Sequence, residues 1–183
     1  MNVIFAHDAE VALVATAALV NTTASGGEQL PHVPALHAFF TAYGATGNRE
    51  GTEAELRSIQ ALRPRLRQLW QSDEDEVVEV VNALLREYRA LPQLVRHEEW
   101  DYHLHATPSD APLAARMAVD AAMALVDVIR SGELRRLRTC ELPGCGNVMA
   151  DLSKNRSKRF CDAGCGNRAA VTAYRARKAV ARD

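Results

Sequence analysis

The sequence predicts a mostly α-helical protein. An N-terminal helical domain with a short β-ribbon is followed by a small four-cysteine module that ends in a basic helix. Aromatic residues are only 5% of a chain that is 48% apolar, so Ala, Leu and Val must fill the core, which favours helices. Apolar residues recur at helical spacings through several segments. All four cysteines fall in one stretch near the C-terminus.

Charge divides the chain into two predicted domains, residues 1–133 and 134–183. The first carries ten Arg and no Lys against nineteen acidic residues, a net charge of −9. The second carries twelve Lys or Arg against four acidic residues, a net charge of +8. At 183 residues the chain fits one domain with an appendage. The basic part is therefore the candidate for binding a polyanion.

The first two helices are bounded by residues that favour loops. One is predicted over the apolar residues 11–20 and ends near Asn21, before a stretch of small and polar residues. Pro34 suits the first turn of the next helix, which runs to about Tyr43 and is followed by a glycine.

Two amphipathic helices follow. The first runs from Thr52 or Glu53 to about Trp70, and Pro64 inside it predicts a kink or a break. Ser72 is the predicted N-cap of the second, because the acidic residues directly after it suit the positive end of a helix dipole. The apolar face of the second helix is predicted to comprise Val77, Val81, Leu84, Leu85 and Tyr88.

Residues 91–107 alternate between apolar and polar side chains. This period of two predicts a short two-stranded ribbon, broken around Glu98-Glu99. Pro112 then opens a long helix that runs to about Arg130, and a glycine after it marks the domain boundary.

His103 and His105 are the candidates for acid–base or metal chemistry. In a strand they share one face and could present two imidazoles to one ion. A third ligand is not evident, and exposed histidines on an edge ribbon are the favoured alternative. The sequence contains no P-loop, dinucleotide-binding, zinc-protease or nucleophile-elbow motif. We therefore expect no catalytic residues and no enzymatic activity.

The cysteines have the spacing of a metal site. Four residues separate Cys140 from Cys145, three separate Cys161 from Cys165, and fifteen lie between the pairs. Two close pairs joined by a loop are typical of tetrahedral zinc, whose coordination shell four thiolates complete. We expect one structural Zn²⁺ that stabilises a segment too short to fold alone. The second pair opens directly onto a helix, as in treble-clef-like zinc fingers.

Two disulfides are the alternative, but they are typical of small secreted domains. Residues 11–20 imitate a signal-peptide core, yet Asp8 and Glu10 precede them and the first basic residue is Arg49. The run is also shorter than the roughly 20 residues that span a bilayer. We expect a soluble, cytoplasmic protein without membrane contact, in which reduced thiols bind metal.

Several stretches carry a resemblance to a known family. Around the cysteines they are Leu137-Arg138-Thr139-Cys140, Asn155-Arg156-Ser157-Lys158-Arg159-Phe160-Cys161 and Cys165-Gly166-Asn167-Arg168. They are similar to the CGNR zinc finger, which in its family ends a chain that begins with a helical ABATE domain. Val20-Asn21-Thr22 resembles that domain's recurring early motif. The family is described as stress-induced transcriptional regulators, so the resemblance implies a finger that binds DNA.

Basic residues of the loop between the cysteine pairs and of the terminal helix are the candidate nucleic-acid contacts. Arg168 and Arg175 lie seven residues apart, on one helix face that could enter a major groove. A solvated helix that only keeps the tail soluble is the alternative. Arg168 is left open between DNA contact and structural support. The predicted set is Lys154, Arg156, Lys158, Arg159, Arg168, Arg175, Arg177 and Lys178.

Double-stranded DNA is the expected partner of a transcriptional regulator built in this way. A zinc-stabilised module that docks on an acidic protein surface is the alternative function. A further alternative is a regulator whose helical domain senses a small-molecule effector, in a pocket lined by Asn21. The oligomeric state is open, and a homodimer would suit paired half-sites.

Overall fold

The computed structural model describes residues 5–23, 26–45, 47–97 and 100–180. In these ranges the chain forms six α-helices and two two-stranded antiparallel sheets, which confirms the mostly helical class. The predicted ribbon break at Glu98-Glu99 lies outside the described residues. The elements are α1 (His7–Asn21), α2 (Val33–Ala42), α3 (Glu53–Arg67), α4 (Glu74–Glu87), β1 (Gln93–His97), β2 (Trp100–His105), α5 (Leu113–Arg130), β3 (Leu137–Thr139), β4 (Val148–Ala150) and α6 (Cys165–Val180).

Helix α4 begins one residue later than predicted, because Asp73 and not Ser72 is its N-cap. The Asp73 carboxylate accepts a hydrogen bond from the backbone N–H of Glu76 at 3.0 Å. The Glu76 side chain accepts one from the backbone N–H of Asp73 at 3.3 Å. A capping box requires that its two residues lie three positions apart, as Asp73 and Glu76 do. Ser72 lies four positions before Glu76, so it cannot form this pair.

Pro64 does not break α3, contrary to one of the two predicted outcomes. The helix continues to Arg67 and then tightens into a single 3-10 turn that ends at Trp70. Proline lacks the N–H that would bond the carbonyl of Gln60. The Nε of Arg63 donates to that carbonyl oxygen at 3.4 Å, which offsets the missing backbone bond.

Helix α5 is the centre of the core, where it packs against α1, α3 and α4. Many of its inward-facing residues are alanines, which let neighbouring backbones approach closely. Leucine and valine side chains of the surrounding helices fill the rest, as the composition predicts. The alanines of α5 with at most 2% exposure are Ala118, Ala121, Ala122 and Ala124.

Strands β1 and β2 form the predicted antiparallel ribbon, with Gln93 opposite His105 and Leu94 opposite Leu104. The backbone N–H of Leu104 donates to Oδ2 of Asp8 at 3.1 Å. This bond joins the ribbon to the start of α1.

The second sheet, β3 paired with β4, is not predicted from the sequence. Val148 and Ala150 of β4 belong to the same core cluster as the helices, and Trp70 Nε1 donates to the carbonyl oxygen of Met149 at 3.0 Å. Both strands lie in the predicted second domain. The first part of that domain therefore packs as part of the helical core, while the boundary near residue 133 stays a prediction.

Candidate metal centre and basic helix

Four separate points of the chain bring the cysteine sulfurs together. Cys140 directly follows β3, Cys145 lies in the turn before β4, Cys161 follows the long loop, and Cys165 begins α6. All four are buried and none is in a disulfide, and their sulfur atoms all lie within 4.8 Å of one another. Within the described ranges, no other group of His, Cys, Asp or Glu has three ligand atoms close enough for a metal ion.

The geometry of these sulfurs fits zinc. Thiolates about 2.3 Å from a tetrahedral ion lie about 3.8 Å from each other. The Sγ of Cys145 is 3.7 Å from that of Cys161, and the Sγ of Cys165 is 3.4 Å from both. A disulfide would need about 2.05 Å, so these sulfurs are not paired covalently. The four cysteines are positioned to bind one structural Zn²⁺, and a complete thiolate shell leaves no position for a substrate.

Glycines shape the backbone turns that present the sulfurs. Gly144 and Gly146 flank the second cysteine with φ of 78° and 67°, and Gly164 precedes the fourth with φ of 73°. Side chains with a Cβ rarely adopt this left-handed conformation. The N–H of Cys140 donates to the carbonyl oxygen of Asn147 at 2.8 Å, which closes the first turn.

Two side chains donate hydrogen bonds to the sulfurs. Asn147 Nδ2 lies 3.3 Å from the Sγ of Cys161, and Arg168 Nη2 lies 2.8 Å from the Sγ of Cys165. Such donors stabilise thiolate ligands. The role of Asn147 was not predicted from the sequence. The pattern that could have indicated it is the Cys-Gly-Asn triplet, which occurs in both turns. Asn167, its counterpart in the second turn, is exposed and makes no side-chain hydrogen bond within the described residues.

Three of the four predicted loop contacts are engaged in ion pairs within the finger or with its flank. Exposed pairs contribute little to stability, but they reduce the positive charge available to a polyanion. Lys154 is exposed and has no such partner in the described structure. The pairs are Arg156–Glu133 at 3.0 Å, Lys158–Asp162 at 2.9 Å and Arg159–Glu141 at 2.7 Å.

Asp151, which sequence reasoning did not single out, organises this loop. Its buried carboxylate accepts hydrogen bonds from the backbone N–H groups of Ser153 and Lys158, both at 2.9 Å. Burial alone would raise the pKa of Asp151, but the bonds from Ser153 and Lys158 hold that pKa below its usual value. The buried Arg136 donates to the carbonyl oxygens of Asp151 and Ser153 at 2.8 and 2.9 Å. The available sequence signal was that Asp151 is the single acidic residue between Cys145 and Cys161, a stretch with four basic residues.

Helix α6 contrasts with the loop. Residues 170–179 are exposed on every side of the helix. Arg175, Arg177 and Lys178 form no hydrogen bond or ion pair through their side chains in the described part of the chain. These three residues and Lys154 are the predicted nucleic-acid contacts whose side chains bind no other group within the described structure.

Asn21 contacts the finger. Its Nδ2 donates to the carbonyl oxygen of Val148 at 2.8 Å, and its Oδ1 accepts from the N–H of Val148 at 2.8 Å. One carboxamide thus satisfies both backbone groups of a residue that is 1% exposed. The structure places the Asn21 side chain in this contact, and its role in a ligand pocket stays a prediction.

None of the described helices combines the length and the apolar composition needed to span a membrane.

No curated protein matches the chain. The CGNR zinc finger model matches residues 136–178. The ABATE model, described as "Putative stress-induced transcription regulator", matches residues 11–132, more than half of the chain. The resemblance seen in the sequence is therefore confirmed, and the chain belongs to the ABATE family of stress-induced transcription regulators, with a C-terminal CGNR zinc finger.

Proposed function

We propose that this regulator binds double-stranded DNA through α6 and that zinc acts only as a structural anchor. The observation that carries the proposal is the exposed surface of α6 with three cations, Arg175, Arg177 and Lys178, that have no side-chain partner among the described residues. A zinc-bound Cys165 would fix the first residue of this helix, so the metal would orient it relative to the body. We propose no catalytic role for any residue, and we place the protein in the reducing cytoplasm, where thiols remain available to zinc.

The dimensions of α6 support insertion into a major groove. Its 16 residues extend over about 24 Å, and a groove about 12 Å wide admits one helix. Arg175 and Lys178 are three residues apart and lie on the same side of the helix. Lys154 would add a phosphate contact from the loop. Arg168 would act on the metal centre, because its guanidinium already donates to a zinc ligand.

The test is the salt dependence of binding to random-sequence duplexes. The double variant Arg175→Ala/Lys178→Ala is expected to weaken binding at least tenfold at about 0.1 M salt and to lower the log–log salt slope by about 1.8. Zinc content should not change. The matched control is Arg57→Ala/Arg86→Ala, which removes two exposed arginines from α3 and α4. Equal losses in both double variants would contradict the assignment to α6.

A protein-interaction module is the second candidate. It is favoured by Val171 and Tyr174, which are 48% and 58% exposed on α6, one turn before Arg175 and Lys178. Apolar and basic side chains on one projecting helix would suit an acidic protein surface with apolar positions. Negligible duplex affinity at low salt, with one zinc bound per chain, would favour this candidate over DNA.

A further inference from the structure

A cavity of about 230 Å³ lies within the helical domain, and no residue of the finger lines it. Its walls are the first half of α1, one face of α5, strand β2 and the segments that follow α2 and precede α5. Sites for drug-sized ligands measure roughly 300–1,000 Å³, so this cavity suits a smaller molecule. Much of its lining is apolar, including Ala9, Ala12, Ala15, Leu113 and Met117.

Three carboxylates line this largely apolar space. Asp8 comes from α1, while Asp120 and Asp127 lie seven residues apart on one face of α5. Asp8 accepts backbone hydrogen bonds from Ala9 and Leu104 at 3.0 and 3.1 Å. In the described part of the chain, neither Asp120 nor Asp127 accepts a hydrogen bond through its carboxylate. Neither carboxylate therefore has a protein donor within the described structure.

Asp120 is the most perturbed of these groups. Part of the Asp120 side chain is exposed at the cavity wall. The protein atoms around its carboxyl group nevertheless displace water, and this desolvation raises its pKa to about 6. The charge of Arg116 opposes this rise, and the charge of Asp8 adds to it. Burial and the charge of Asp8 likewise raise the pKa of Asp127. A positive charge in the cavity would relieve both the desolvation and the repulsion.

Arg116 lines the cavity but is held by the backbone around it. Its Nε donates to the carbonyl oxygen of Ala111 at 3.1 Å, and its Nη2 donates to the carbonyl oxygen of Asn48. It forms no ion pair with Asp120 in the described structure. The arginine therefore fixes the two loop segments of the wall and leaves the carboxylates without a direct cationic partner.

A metal ion is not the cation that fits. His103 and His105 also line the cavity, with their Nε2 atoms 2.9 Å apart. Among the described residues, however, no group that includes these histidines or the aspartates brings three ligand atoms close enough together for a metal. An apolar wall beside two carboxylates that have no protein donor among the described residues instead suits an organic cation.

We propose that this cavity binds a small organic amine, with its ammonium group beside Asp120 and Asp127 and its apolar body against the alanine and methionine side chains. The ammonium N–H groups would supply the donors and the charge that the two carboxylates lack. Transfer of the apolar body from water into the cavity would add to the binding free energy. No residue of the finger lines the cavity, so this proposal does not rest on the proposed DNA binding.

The test compares benzylamine with benzyl alcohol, which has the same shape without the charge. Isothermal titration of the zinc-loaded full chain at pH 7.5 is expected to give saturable benzylamine binding. The dissociation constant should be at least about tenfold lower than that of the alcohol, because a charge-assisted hydrogen bond is roughly twice as strong as a neutral one. Equal affinities, or no binding of either probe, would overturn the proposal.

Two variants locate the site. Asp120→Asn should weaken benzylamine binding about tenfold or more, whereas Glu79→Gln, the same change at an exposed position of α4, should leave it unchanged. Ionisation of Asp120 costs stability above its unfolded pKa, because its pKa is raised on folding. The asparagine variant should therefore fold at least as stably at pH 7.5, which thermal unfolding checks. Asp127→Asn provides a second variant, and unchanged amine affinity in both aspartate variants would refute the site.

Discussion

At the residue scale, two polar side chains have roles that their sequence context does not reveal. Arg168 belongs to the basic C-terminal segment, but its guanidinium donates to the Sγ of Cys165 at 2.8 Å. Asn21 ends an apolar helix, but its carboxamide binds the backbone of Val148, 127 positions further along the chain. In both cases a nearby group that needs a hydrogen-bond donor or acceptor determines the role.

Asn21→Ala should destabilise the folded protein by about 1–3 kcal/mol, because it leaves both backbone groups of the buried Val148 unsatisfied. Urea denaturation of the zinc-loaded protein measures this change. Asn82→Ala removes the same side chain from an exposed position of α4 and should be nearly neutral. Similar unfolding midpoints for the two variants would show that the contact contributes no stability.

At the scale of elements, the finger has two parts with different support. Strand β4 lies in the helical core and is held by Asn21 and Trp70. Helix α6 is exposed over residues 170–179 and is attached through Cys165 at its first turn. Isolated helices shorter than about 12–15 residues are marginal in water, and α6 is barely longer, so its order should depend on the metal.

Cys161→Ser should abolish zinc binding and release α6 while leaving β4 docked. Metal analysis measures the first effect, and amide hydrogen exchange measures the other two. We expect fast exchange in α6 and retained protection at the Val148 N–H, which donates to Asn21 Oδ1 at 2.8 Å. Wild-type protein treated with a chelator should show the same pattern. Full zinc retention in the variant would contradict the ligand set, and loss of protection at Val148 would contradict independent docking of β4.

At the scale of the whole molecule, the helical body and the finger share a core. Val148 and Ala150 pack with the helices, and Arg136 and Arg156 both bind Glu133 at the junction. The charge boundary near residue 133 therefore separates surfaces of opposite sign but does not separate the packing. Helix α1 spans this arrangement, from Asp8 at the cavity to Asn21 at the finger.

A fragment of residues 1–133 should be less stable than one of residues 1–153, although the charge boundary lies at 133. The shorter fragment lacks Val148, whose burial alone contributes about 1.5–3 kcal/mol, and it leaves Trp70 Nε1 without its acceptor. Thermal unfolding monitored by circular dichroism compares the two, with the full chain as reference. Equal stability would mean that the β3–β4 sheet is not part of the body's folding unit.

The sequence by itself determined the helices, the ribbon and the zinc ligands. These features are local: apolar spacing, a proline at a helix start, a glycine after a helix end, and cysteines a few residues apart. Each is readable within a window of about 20 residues, because the interactions that produce it connect neighbours along the chain.

Only the tertiary structure decided the docking of β4, the engagement of Arg156 and Arg168, and the acidic cavity. A three-residue strand is too short to show an alternating pattern, and the contacts of Asn21 and Trp70 with it join residues far apart in sequence. Asp120 and Asp127 share a largely apolar face of α5, yet nothing local shows that a cavity faces them. Long-range partners depend on how the helices pack together, because packing in three dimensions and not spacing along the chain sets which groups meet.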